Sequence, residues 1–177
     1  TPMESSSQFR IAFSTLDGPQ QQTLARAFER EDSLFVRRVA SADGILSVKA
    51  SRELQRMHER AIADILSQEQ LEQYYRGVFD KEADAEGSGI ADRLQKKYDL
   101  TDQNWKFIRI AFYKIGLESR VINKLMADQP AKARKKIDAL RAEMLASIEA
   151  KGGIMVDPEG KTVTVVKPFD PNKLHKE

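Results

Sequence analysis

From Phe9 to Ile148, the apolar residues of this 177-residue chain return every three or four positions, a period that selects helices. Phe9, Ala12, Phe13 and Leu16 mark one face of a short helix. Leu24, Ala27, Phe28, Leu34, Phe35 and Val39 mark a long one over about 18–40, and "ASADG" (40–44) then reads as a turn. Leu54, Met57, Ala61 and Ile65 stripe a helix over 47–66, and a fourth segment starts at Ser67 with "QEQLEQYYRGVFD". There Tyr75 and Phe79 share a face, which leaves Tyr74 partly exposed. "KEADAEGSG" (81–89), small and acidic, reads as a linker ahead of a short helix, "IADRLQKKY". Trp105, Ile108, Phe112, Ile115 and Ile122 stripe a long helix, and Ile137, Leu140, Met144 and Ile148 another that opens at Pro130. Gly152 and Gly153 stop it, and the period changes: "IMVDPEGKTVTVV" flanks a "DPEG" turn with β-rich arms, a β-hairpin signature. "KPFDPNKLHKE" reads as an extended or frayed end.

Three helices open on the same punctuation: "LDGPQ" (16–20), "LSQEQ" (66–70) and "LTDQN" (100–104). Asp17, Ser67 and Thr101 are N-cap residues whose side-chain oxygens can accept orphan backbone N–H groups. Gln20 and Gln70, three residues on, can return the bond and close a capping box; Asn104 is a shorter substitute. Leu66 with Leu71 and Leu100 with Trp105 form hydrophobic staples, whereas Leu16 faces Gln21 and lacks one. Capping alone explains such motifs without any further function.

These elements predict an all-α fold: long helical hairpins built from four main helices plus short ones, with a small C-terminal β-hairpin. The expected organisation is one helical domain over 1–177, with hairpin repeats at 17–80 and 100–152 and the β-hairpin and tail at 153–177. A shift of 83 residues supports the repeat: positions 24–65 face 107–148 with seven identities, among them Arg26/Arg109, Leu34/Leu117 and Arg37/Arg120.

Composition narrows the chemistry. Charged residues make up 32% and aromatics 7%, and the net charge is +2, too balanced to indicate nucleic acid. The basic runs at 93–98 and 133–141 are solvated faces, the second interrupted by Asp138 and followed by Glu143. No stretch is apolar enough to span a bilayer. With no cysteine, thiol catalysis, disulfides and cysteine metal sites are excluded. His58 lacks a second ligand at helical spacing, and His175 lies in the tail. Asp80, Glu82, Asp84 and Glu86 alternate, but the glycine and closing glutamate of a calcium loop fall at other offsets. Phosphate-loop and nucleophile-elbow motifs are absent. The expectation is a non-enzymatic protein without cofactor or metal; carboxylates that meet only in space stay open as an alternative.

The pentapeptides carry a resemblance. "LDGPQ" and "LSQEQ" resemble the LTxxQ motifs of the Spy/CpxP-type periplasmic chaperones, with Asp17 and Ser67 in the threonine place; the likeness covers 16–79. "LTDQN" is a partial echo whose closing motif is missing, since Ile148 runs into "EAKGG". The resemblance implies a helical fold, binding of unfolded proteins without ATP, and a periplasmic or secreted location. The opening "TPMESSS", without an initiator methionine, reads as a processed or trimmed form. The resemblance also implies a homodimeric cradle, unless a duplicated chain supplies both halves. Arg26, Arg37, Arg109 and Arg120 are the candidate client-binding residues. The other reading is a structural or protein-interaction helical domain with one defined partner, through the edge of the β-hairpin, tested by deleting 153–177.

Overall fold

The computed structural model describes residues 7–40 and 48–166. Among them the chain is all-α with one small antiparallel sheet at its C-terminal end. The helices are α1 (Ser7–Ser14), α2 (Gly18–Ala40), α3 (Val48–Ile65), α4 (Gln68–Tyr98), α5 (Asp102–Leu125) and α6 (Pro130–Gly152). The strands are β1 (Ile154–Val156) and β2 (Val163–Val165). The expected turn after Ala40, the tail from Lys167 and His175 lie outside the described residues.

The chain divides into two compact units, the first ending at Val78 and the second beginning at Phe79, so the division falls inside α4. In the first unit α2 packs on α3, and Leu24, Phe28, Phe35, Ala61, Ile62 and Leu66 are buried. α1 meets the start of α4 closely: a Cβ on Gly77 would stand 2.7 Å from Ile11 Cγ2. Tyr74, read from the sequence as partly exposed, is the more deeply buried of the tyrosine pair at 1% exposure against 8% for Tyr75. The rings tilt against each other at 5.1 Å between centroids. Burial pushes the Tyr74 phenol above its ordinary range, and the neighbouring Tyr75 and Glu59 add to it.

In the second unit α5 packs on α6, and β1 lies against α6. Its core joins Ile90, Ala91 and Leu94 of α4 to Ile108, Ala111, Phe112 and Ile115 of α5, with Ile148, Ile154 and Val156. Trp105 and Leu100 pack on its margin. The hairpin pairs Ile154 with Val165, Met155 with Thr164 and Val156 with Val163. Asp157 organises the turn: its carboxylate accepts from the backbone N–H of Thr162 at 2.6 Å and its carbonyl from Gly160 at 3.0 Å. Gly160 has φ +67°, and a Cβ there would lie 2.7 Å from Ile90 Cγ2, so the turn is pressed onto the core.

The stretch 81–89 is not a linker. It is the middle of α4, and the short helix read over 90–98 is the same helix continued. The physical reason lies at Gly87, where a Cβ would stand 2.7 Å from the Arg109 carbonyl oxygen and 2.8 Å from the Tyr113 nitrogen. α4 and α5 cross at this glycine with backbone nearly touching backbone. Ala83 is fully buried, and the neighbouring Glu82, Asp84 and Glu86 accept from donors on α5. Small and acidic residues serve a tight helix crossing as readily as a flexible linker.

The starts of α2 and α5 match one residue away from the register that aligns the identities. Thr101 follows Asp17 by 84 residues, and the same shift brings the buried Leu24 and Phe28 onto the buried Ile108 and Phe112. A shift of 83 instead matches Leu34, 47% exposed, with Leu117, 7% exposed. α2 and α5 are thus alike in cap and first buried positions at a shift of 84, while the apolar stripes of α3 and α6 keep the shift of 83, with Leu54, Met57 and Ile65 on Ile137, Leu140 and Ile148.

Candidate functional site

Two of the three pentapeptides meet in the first unit and form a joint. At Asp17 the carboxylate accepts from Gln20 N–H at 2.9 Å, and Gln20 Oε1 accepts from Asp17 N–H at 3.3 Å. At Ser67 the hydroxyl accepts from Gln70 N–H at 3.2 Å, and Gln70 Oε1 accepts from Ser67 N–H at 2.9 Å. The glutamines then bond each other, Gln20 Nε2 to Gln70 Oε1 at 3.2 Å and Gln70 Nε2 to Gln20 Oε1 at 3.0 Å. Each amide also donates across the joint: Gln20 to the Ile65 carbonyl that ends α3, Gln70 to the Thr15 carbonyl just after α1. Both side chains thus use all of their donor and acceptor capacity. Leu16 and Leu66, ahead of the caps, are both buried at 7% exposure. Where Leu16 lacks a staple, Gln21 Nε2 donates to the carbonyls of Phe13 at 3.1 Å and Leu16 at 3.2 Å, tying α2 to the end of α1.

Among the described residues the third pentapeptide has no such partner. Thr101 accepts from Asn104 N–H at 3.1 Å, and the Asn104 amide lies against Gly152 at the end of α6. Gly153, at φ +63°, turns the chain there into β1, where a closing motif would otherwise stand.

The candidate arginines differ sharply between units. Arg109 donates to Asp84 at 2.6 Å and Ser88 at 3.1 Å. Arg120 donates to Glu86 at 2.8 Å and Glu82 at 3.1 Å. Tyr113 donates to Asp80, and that hydrogen bond holds its phenol above the ordinary range. The four alternating acids therefore hold α5 on α4, and Arg109 and Arg120 are committed to that contact. An open groove of about 440 Å³ lies over it, lined by Asp80, Asp84, Arg109, Ile110, Tyr113 and Lys114.

Arg26 and Arg37, on α2, are exposed and form no ion pair among the described residues. Leu34, Val36 and Val48 in the same helix pair are 47%, 62% and 70% exposed. α3 adds a basic row that the sequence reading did not single out: Lys49, Arg52, Arg56 and Arg60 line a groove of about 670 Å³. The signal for it was spacing, since 52, 56 and 60 step along one helix face by fours.

Between α2 and α3 lies a titratable cluster. His58 Nε2 is 3.1 Å from Asp32 Oδ1, and its imidazole stacks on Phe28 at 4.3 Å, so His58 is a packed interhelical residue instead of a free surface one. Beside them Glu31 Oε2 is buried without a hydrogen-bond partner among the described residues. Burial raises the Glu31 carboxyl above its ordinary value, against the opposing pull of His58 and Arg30. A raised carboxyl means that ionisation is disfavoured in the fold, so stability contributed by this group falls as pH rises through its folded value. Glu31→Gln is expected to raise the thermal midpoint by about 2 °C at pH 8. The gain should shrink toward pH 4, where the native carboxyl is already neutral; thermal unfolding followed by circular dichroism at both pH values checks it.

No protein-family model, curated protein or solved structure matches the chain.

Proposed function

We propose that the chain is a non-enzymatic helical protein of the cell envelope that binds unfolded or partly folded proteins without ATP, through the α2–α3 face of its first unit. The observation that carries this reading is the contrast between the two helix pairs. In α2–α3, Arg26 and Arg37, without ion-pair partners among the described residues, share the helix pair with exposed Leu34, Val36 and Val48; in the α4–α5 contact, Arg109 and Arg120 are held in ion pairs. Unpaired cations draw a client from a distance, and loose apolar surface then holds it without demanding one shape. The envelope location rests on the likeness of "LDGPQ" and "LSQEQ" to LTxxQ motifs.

The full chain, equimolar with a client protein unfolding at low salt, is expected to suppress the client's light scattering, and to do so less as salt screens the cations. Arg26→Glu with Arg37→Glu should remove most of that protection while leaving the circular dichroism unchanged. If the full chain leaves aggregation unaltered, the reading is wrong.

The hairpin edge supports a one-partner reading less well. Its strands are three residues each, and Ile154 and Val156 are buried in the core of the second unit. Deleting 153–177 would uncover that core, so it tests folding before it tests binding.

A further inference from the structure

We infer that the basic row on α3 is a docking surface for an acidic helical segment of a bound polypeptide. This rests on the reading of α2–α3 as a polypeptide-binding face and names the chemistry that the face selects. Lys49, Arg52, Arg56 and Arg60 follow one another by three, four and four residues, which keeps them on one side of α3. Each four-residue step advances about 6 Å along a helix axis. All four are exposed, and none pairs with another described residue. Among the described residues they line a groove together with Val48, Glu53 and Met57, all of α3. Glu53, the one acid among those described lining residues, is already taken by Arg38 of α2 at 3.1 Å.

A helix with glutamates four residues apart repeats its carboxylates at the same step of about 6 Å, so it meets the row in register. Each guanidinium can donate a forked pair of hydrogen bonds to such a carboxylate. Val48 and Met57, between and beside the cations, offer apolar contact to the same helix. A phosphate polymer fits this surface less well. The cations form a single row instead of a broad basic face, an acid sits among them, and the two apolar side chains would have no counterpart on a phosphate backbone.

The test uses the full chain and two fluorescent peptides of identical composition. One carries glutamates at every fourth position; its isomer scatters them around the helix. Anisotropy titration at low salt should show the patterned peptide binding about fivefold tighter, three exposed ion pairs being worth about that much together. Arg52→Glu, Arg56→Glu and Arg60→Glu combined should abolish the preference while circular dichroism stays unchanged. If that variant unfolds, Arg56→Gln alone should reduce the preference about twofold, by the loss of one exposed pair. Equal binding of the two peptides overturns the inference, as does stronger competition by a short polyphosphate than by the patterned peptide at equal charge. Suppressed client aggregation without a pattern preference would sink this inference alone; failure of both would sink the client-binding reading as well.

Discussion

Gly87→Ala is expected to destabilise the second unit by about 2 kcal/mol, within the range for overpacking a tight contact. The new methyl would meet the Arg109 carbonyl and the Tyr113 nitrogen below 3 Å, and both are backbone atoms of α5 that no rotamer change can move aside. The helices must separate instead. Separation loosens the pairs from Asp84 to Arg109 and from Glu82 and Glu86 to Arg120, together with the packing of Ile90 on the core. Gly89→Ala, two residues on in the same helix, has the opposite expected sign. Its methyl would find only Arg93 Nη1 at 3.8 Å, an ordinary contact, so the alanine's better helix propensity is gained, worth up to about 1 kcal/mol. The protein has one tryptophan, Trp105, which packs on the core of this unit and donates to Asp92 at 2.7 Å. Its fluorescence in a urea titration reports both variants, and a Gly87→Ala midpoint at or above that of the parent would contradict the crossing described for α4 and α5.

The second large effect belongs to the glutamine joint. Gln20→Ala and Gln70→Ala each open a capping box, worth about 1 kcal/mol, and each strands an amide and a helix-end carbonyl across the joint. The single variants should therefore lose more than a cap alone, and the double variant less than their sum. A double-mutant cycle is expected to give a coupling of about 1 kcal/mol. Asn104→Ala, at the third helix start, where Thr101 caps the Asn104 N–H, should show no comparable coupling to either glutamine. Native-state hydrogen exchange of α2 and α3 amides reads these values within the first unit. Additive losses would mean that the two glutamines act only on their own helix ends.

The joint also shows what a single chain of letters can carry. Asp17, Ser67, Thr101, Pro130 and the Gly152–Gly153 stop are legible because capping is local: the donor, the acceptor and the spacing sit within five residues. The Asp157–Gly160 turn is legible for the same reason. Gln20 meeting Gln70 is not, since the amide that each needs lies 50 residues away and either glutamine closes its own box without it. Residues 81–89 mislead because their meaning depends on what crosses them: glycine and aspartate loosen a chain in water but let α5 approach when it is present. Arg109 and Arg120 look like Arg26 and Arg37 in sequence, and only the acids of α4 set them apart. The row on α3 was readable from its spacing by fours, and was masked by the interleaved Glu53 and Glu59.

On the function proposed above, clients are held on α2 and α3 of the first unit. Hydrogen exchange of the full chain, with and without a saturating unfolded client at low salt, tests it most directly. Added protection is expected over 26–37 and 48–60, and little change over 102–125, where the arginines are already paired. Protection confined to 102–125, or none in either region while the client is demonstrably bound, would contradict it.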